Sequence, residues 1–185
     1  MCGISGFVSN ELDQSVIAET AKSMSAQIKH RGPDNSGIWI DKNIGIALAH
    51  QRLSIVDLSM AGAQPMVSYC GRYYIVFNGE IYNHLDIRSQ IKEAIKWRGH
   101  SDTETLINAI SYFGLEKTLQ KIKGMFSFAL WDKSSKQLTL AKDRIGEKPL
   151  YYGFSGESLV FASELKAIIK FPSFSKIIDR NALSL

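Results

Sequence analysis

The chain has 185 residues, 45% apolar and 22% charged, with a formal net charge of +4 at pH 7. That describes a single globular domain, or one domain and a short tail, with enough apolar residues for a core. The basic residues are scattered rather than clustered with aromatics, which argues against a nucleic-acid partner, and no apolar run approaches the roughly 20 residues of a membrane helix.

The start, MCGISGFVSN, lacks the basic n-region of a secretory signal. Ile4 to Ser9 reads as a strand that would pin Cys2 at a sheet rather than let it fray. Asp13 is placed to cap a helix, with a Leu12–Ile17 staple and Ile17, Ala21, Met24 and Ile28 on its buried stripe. The helix should end near His30, before the Gly32-Pro33 breaker. Residues 37–40 and 44–49 read as a hairpin around Asp41-Lys42-Asn43. Residues 60–66 read as loop. Tyr73 to Phe77 has the composition of a strand buried on both faces, ending at an Asn78-Gly79 turn. A helix capped by Asn83 carries Ile87, Ile91, Ala94 and Ile95 and stops at Gly99. Ser101 to Glu104 is a capping box opening a helix with Leu106, Ile107, Ile110 and Phe113 on one face. A shorter helix follows over 115–122. Past Gly124 the period changes to strands: Phe126 to Leu130, Leu138 to Leu140, then a hairpin of 150–154 and 159–162. Residues 164–170 form a last helix. Strands around a central helical pair imply an α+β domain with two sheets and helices outside.

Four sites could carry chemistry. If Met1 is trimmed, Cys2 holds a thiol and a free α-amine, a nucleophile and its own base. Their ordinary pKa values, roughly 8.5 and about 7.7–8.0, suit that pairing; by itself, Cys2 fits a chance residue at a chain start equally well. Asn78-Gly79 reads either as a plain turn or as two donors, an amide NH2 and an unshielded backbone N–H, suited to an oxyanion. Arg52 fits a surface strand or a carboxylate grip. Asp102 suits the helix macrodipole as well as it suits an ammonium ligand. The four histidines are not spaced as metal ligands, and no metal site is expected. Asp143-Arg144 reads as an ion pair or loop anchor. Cys2 and Cys70 lack zinc spacing and suggest no disulfide framework; Cys70 reads as an inert buried or strand-end thiol. Free thiols and the missing signal point to the cytoplasm.

Seven motifs in order carry a resemblance: MCGISG at the start, HRGPD at 30–34, RLSIVD at 52–57, FNGEIYN at 77–83, SDTE at 101–104, GMFSFA at 124–129 and DRIGEKPLYY at 143–152. Together they resemble the glutaminase domain of glutamine-hydrolysing asparagine synthetases, a class II glutamine amidotransferase. The resemblance runs from Met1 to about Phe171. It implies an N-terminal-nucleophile hydrolase fold, a four-layer αββα sandwich, and attack of a processed cysteine on the side-chain amide of glutamine. Matched residue by residue, Cys2 would be the nucleophile, with Asn78 and Gly79 as the oxyanion hole. Arg52 would bind the glutamine α-carboxylate, and Asp102 and Glu80 would lie toward the α-amine. Leu53, Ser54, Ile55 and Val56 would line the pocket, chiefly through the backbone of Ile55 and Val56.

The partners so implied are L-glutamine, a synthetase domain or subunit receiving ammonia and, as one option, a second copy of the chain in a homodimer. No cofactor is expected in this domain. ATP and magnesium belong to the synthetase domain, whose Ser-Gly-Gly phosphate loop has no counterpart here; Ser155-Gly156-Glu157 does not match. The expected division is an amidotransferase type 2 domain over 1–171 and the start of a linker over 172–185. Two rival readings share these residues: a hydrolase of the same fold acting on another amide, and a non-catalytic regulatory module.

Overall fold

In chain order the strands are β1 (Gly3–Val8), β2 (Asn35–Asp41), β3 (Ile46–Arg52), β4 (Met66–Val67), β5 (Tyr73–Ile81), β6 (Gly124–Asp132), β7 (Gln137–Lys142), β8 (Tyr151–Ser155) and β9 (Ser158–Ala162). The helices are α1 (Ile17–Ala26), α2 (His84–Gln90), α3 (Asp102–Phe113), α4 (Leu115–Lys121) and α5 (Leu165–Ile168). These come from a computed structural model, which describes residues 1–54, 57–172 and 174–177. One sheet has the order β2-β3-β1-β9-β8 and the other β4-β5-β6-β7, with every neighbouring pair antiparallel.

Period-two alternation divides the strand side chains between three apolar layers. Ile4, Ile46, Leu48, Val76, Ala129, Trp131 and Phe161 meet between the two sheets. From the same strands of the first sheet, Phe7, Ala47, Val160 and Ala162 point outward against Ile17, Ala21, Met24 and Ile28 of the α1 region and Ala167 and Ile168 of α5. On the second sheet Ile75, Phe77, Phe128 and Leu130 point the other way, against Leu106, Ile107 and Ile110 of α3. The result is helix, sheet, sheet, helix, the αββα sandwich expected.

β1 is central in its sheet and is fixed at both edges. It pairs with β3 from Gly3↔Gln51 to Val8↔Ile46 and with β9 from Ser5↔Ala162 to Val8↔Leu159. Ile4 N–H donates to Ser163 Oγ at 3.0 Å, and Ile4 carbonyl accepts from Ser163 N–H at 2.8 Å.

Several local expectations are corrected. Asp13 does not cap α1: its carboxylate accepts from Ser15 N–H at 2.7 Å in a local turn, and the helix starts at Ile17 without a side-chain cap. Asn78-Gly79 is not a turn. β5 runs through it to Ile81, because pairing with β6 continues through Asn78↔Ser127 and Gly79↔Phe126 to Ile81↔Gly124. The second helix ends at Gln90 rather than near Gly99. Buried Glu104 draws the following segment inward instead, accepting from Arg98 N–H at 2.8 Å and Gly99 N–H at 3.0 Å. Half of the capping box is present: Ser101 Oγ accepts from Glu104 N–H, while the Glu104 carboxylate serves Arg88, Arg98 and these amides. Cys70 is exposed, with Ser68 and Ser111 hydroxyls at 3.2 and 3.1 Å.

Asp143 is a loop anchor. Its carboxylate accepts backbone N–H groups from Phe126, Gly146, Glu147 and Lys148. Burial alone would raise its pKa, but these donors hold it below the usual carboxylate range. Its contribution to stability is therefore complete above about pH 4 and is lost as pH falls through the depressed folded value. Asp143→Ala is expected to cost about 2–4 kcal/mol in denaturant unfolding at neutral pH; a loss under about 1 kcal/mol would show that water replaces the carboxylate.

Candidate active site

Residues of even number on β1, β3 and β5 face the gap between the sheets, as Ile4, Leu48 and Val76 do. Cys2, Arg52, Asn78 and Glu80 share that parity and lie where the gap opens. The β1–β3 register, continued one residue beyond Gly3↔Gln51, sets Cys2 opposite Arg52. A cavity of about 130 Å³ lies at this end, well below the usual size of a drug-sized pocket. Cys2, Arg52, Leu53, Asn78, Gly79, Glu80 and Asp102 all line it. Ser54 does not; its backbone N–H donates to the Asp34 carboxylate at 2.8 Å. Ile55 and Val56 lie outside the described residues.

At the sulfur end, Leu53 N–H donates to Cys2 Sγ at 3.3 Å, and the thiol lies 3.5 Å from the Leu53 carbonyl. Burial pushes the Cys2 thiol up, by more than the Leu53 backbone, the chain's N-terminal charge and Arg52 draw it down. A thiol so placed needs a base before it can attack. The Cys2 carbonyl is held by Arg31 Nε at 3.0 Å, and Arg31 Nη1 is anchored by Glu164 at 2.9 Å.

Asn78 is 1% exposed, and its Nδ2 donor has no partner among the described residues. A buried amide with nothing to donate to is costly unless a ligand oxygen arrives to accept. Gly79 has to be glycine, since a Cβ there would collide with the Met125 carbonyl and the Phe126 backbone.

The cavity also carries both signs of charge. Arg52 is 7% exposed, and its guanidinium donates to the carbonyls of Ser59, at 2.9 Å, and Asp57. Gly62 packs directly on that guanidinium and leaves no room for a Cβ. Asp57 is itself tied to the α3 side of the cavity through His100 N–H at 3.1 Å. Asp102 sits in the first turn of α3 and accepts from Ile81 N–H at 2.9 Å and Thr103 N–H at 2.8 Å. Burial raises its pKa by more than those two donors lower it. Among the described residues no group of three or more His, Cys, Asp or Glu is arranged to hold a metal ion. No helix among them is long and apolar enough to cross a membrane.

Sequence reasoning passed over Arg31, Asp57, Gly62, Gln64, Thr103, Met125 and Lys148 as site residues. Arg31, Asp57, Thr103, Met125 and Lys148 did lie inside the seven motifs. Arg52's carbonyl partners had no signature, because any residue type supplies a carbonyl.

An antiparallel double-sheet sandwich with a cysteine leading its central strand defines the N-terminal-nucleophile hydrolase class of fold. The solved glutamine phosphoribosylpyrophosphate amidotransferase of B. subtilis, in complex with ADP and GMP, superposes with a TM-score of 0.73 at 20% identity, over 92% of this chain and 43% of that one. The family model described as a glutamine amidotransferase domain matches residues 1–185, and the chain belongs to this family as a class II domain of the asparagine synthetase glutaminase type. Glutamine-hydrolyzing asparagine synthetase 3 of Bacillus subtilis is 37% identical over all of this chain and 30% of its own length. A probable asparagine synthetase of Schizosaccharomyces pombe is 40% identical over 96% of this chain and 31% of its own. Amidase chry2 of Gibberella zeae is 36% identical, over 92% and 27%. The chain thus spans about 30% of the curated relatives it matches.

The two thiols differ in a way that can be measured. Burial would raise Cys70, but the Ser111 and Ser68 hydroxyls with backbone N–H groups hold it below the ordinary thiol value, whereas Cys2 lies above. With Met1 attached, limited alkylation at pH 7 is expected to label Cys70 at least about tenfold faster than Cys2, as read by peptide mass spectrometry. Equal labelling would overturn the assigned directions.

Proposed function

We propose that this domain hydrolyses L-glutamine to glutamate and ammonia through a thioester on Cys2. The observation that carries the reading is the unpartnered, buried Asn78 amide in the same small cavity as Cys2. Glutamine has a carboxylate and an ammonium at one end and an amide at the other. The cavity supplies a counterpart for each: Arg52 for the carboxylate, Asp102 for the ammonium, and the thiol with paired donors for the amide.

Once Met1 is removed, the Cys2 α-amine takes the thiol proton, and Sγ attacks the side-chain carbonyl carbon of glutamine. The oxyanion so formed accepts from Asn78 Nδ2 and the Gly79 N–H. As the C–N bond breaks, the α-ammonium returns its proton to the departing nitrogen, and ammonia leaves. Water then gives a proton to the amine and attacks the thioester; the C–S bond breaks, glutamate leaves and the thiol is restored. No step requires a cofactor. Arg52 holds the α-carboxylate, Asp102 with Glu80 holds the α-ammonium, and the backbone of residues 53–56 closes the pocket. We place this domain at residues 1–171, with 172–185 leading toward a synthetase region. There the ammonia would amidate a carboxylate, aspartate by analogy with the relatives' names, at the expense of ATP and with magnesium. A cytoplasmic setting suits the free thiol.

The test is glutamine hydrolysis by chain whose loss of Met1 has been verified by mass. Cys2→Ala is expected to abolish ammonia release; undiminished release would end the reading. Asn78→Ala is expected to lower kcat by about 10²–10³. Arg52→Ala is expected to act chiefly on KM, raising it roughly 30-fold or more through loss of a buried charge pair. Equal turnover of asparagine or simple amides would point to a hydrolase of other amides instead.

A further inference from the structure

Lys148 is only 6% exposed and lines the cavity beside Met1, Cys2, Asn78 and Gly79. Its backbone is fixed by the Asp143 carboxylate, 3.1 Å from its N–H. Its Nζ lies 3.0 Å from Met1 Sδ, a weak acceptor. Among the described residues no carboxylate lies within salt-bridge distance of that nitrogen. A buried cation without an anion is costly, and the glutamine chemistry above assigns it no task.

We propose that Lys148 sets the protonation of the N-terminal base, keeping the Cys2 α-amine neutral near pH 7. This rests on the reading of that amine as the base of the reaction. Trimming removes the Met1 thioether and leaves a new amine on Cys2, at the point from which the Met1 side chain now extends to the Lys148 nitrogen. Two cations lining one small cavity repel. The weaker base gives way: an ordinary lysine holds its proton to about 10.4 and an α-amine to about 7.7–8.0. The α-ammonium therefore loses its proton to solvent at lower pH, and only an N–H bond breaks. The other charged groups around the cavity are Arg52 at the end of β3, Asp57 after it, Glu80 on β5 and Asp102 on α3. Arg31 reaches the Cys2 carbonyl from the turn before β2. Asp102 turns both its carboxylate oxygens to backbone N–H groups.

The experiment uses trimmed enzyme, wild type, Lys148→Met and Lys148→Arg, labelled with 15N-cysteine. The Cys2 amine is titrated by NMR, and kcat/KM for glutamine is compared at pH 6.5 and 8.5. The wild-type amine is expected to titrate below 7.7, and Lys148→Met to raise it by about one unit. The pH 6.5 to 8.5 activity ratio should then fall about sixfold, the change such a rise gives. Lys148→Arg should keep both near wild type. A wild-type amine titrating at 8 or above, or a Lys148→Met enzyme with an unmoved ratio and amine, would overturn the proposal. A purely structural role would lower both rates alike and leave the amine where it was. If Lys148→Met does not fold, the wild-type titration still decides. If the trimmed chain releases no ammonia from glutamine, the glutaminase reading fails while the amine titration still judges Lys148.

Discussion

The site depends on the register of β1. An antiparallel strand held on both sides cannot slip by one residue without turning Ile4 and Phe7 into each other's layers. The packing of those two side chains thereby fixes which way Cys2 points. The paired bonds between Ile4 and Ser163 add a clamp just two residues from the sulfur. A side chain at a chain end would ordinarily fray; here the hydrophobic layering of the sandwich positions Cys2.

The cavity walls come from both sheets and from α3, and they differ in how their polar groups are satisfied. Arg52 already has carbonyl partners, and Asp102 has two amide partners, so each can receive a ligand without reorganising. Asn78 has none for its donor. The charged groups are therefore held in place by backbone partners, while Asn78 carries a hydrogen-bonding demand unmet among the described residues.

Much of this was legible in the residues, because strand period and helix stripe are local. Ile17, Met24, Leu106 and Phe128 are core by pattern, and they are core in the structure. The misreadings share a cause. Asn78-Gly79 has turn chemistry, but β6 pairs with the whole segment and tertiary pairing overrides local preference. Residues 91–99 carry helical spacing, but the buried Glu104 carboxylate takes the amides of Arg98 and Gly99 for itself. Asp13 had a cap's identity, yet its nearest amide was Ser15. In the site, side chains with distinctive chemistry were found from sequence. Groups acting through backbone carbonyls, and Lys148, whose isolation shows only in three dimensions, were not.

The position of β1 between β3 and β9 has a consequence for biosynthesis. Chain growth delivers β1 first and β9 near residue 160, so the leading strand lacks one of its two neighbours until about 150 further residues have been made. Until β9 and Ser163 emerge, the leading residues have no clamp and stay open to an aminopeptidase working on the nascent chain. Closure of the sheet over the leading residues is thus delayed, by topology, until well after they are made.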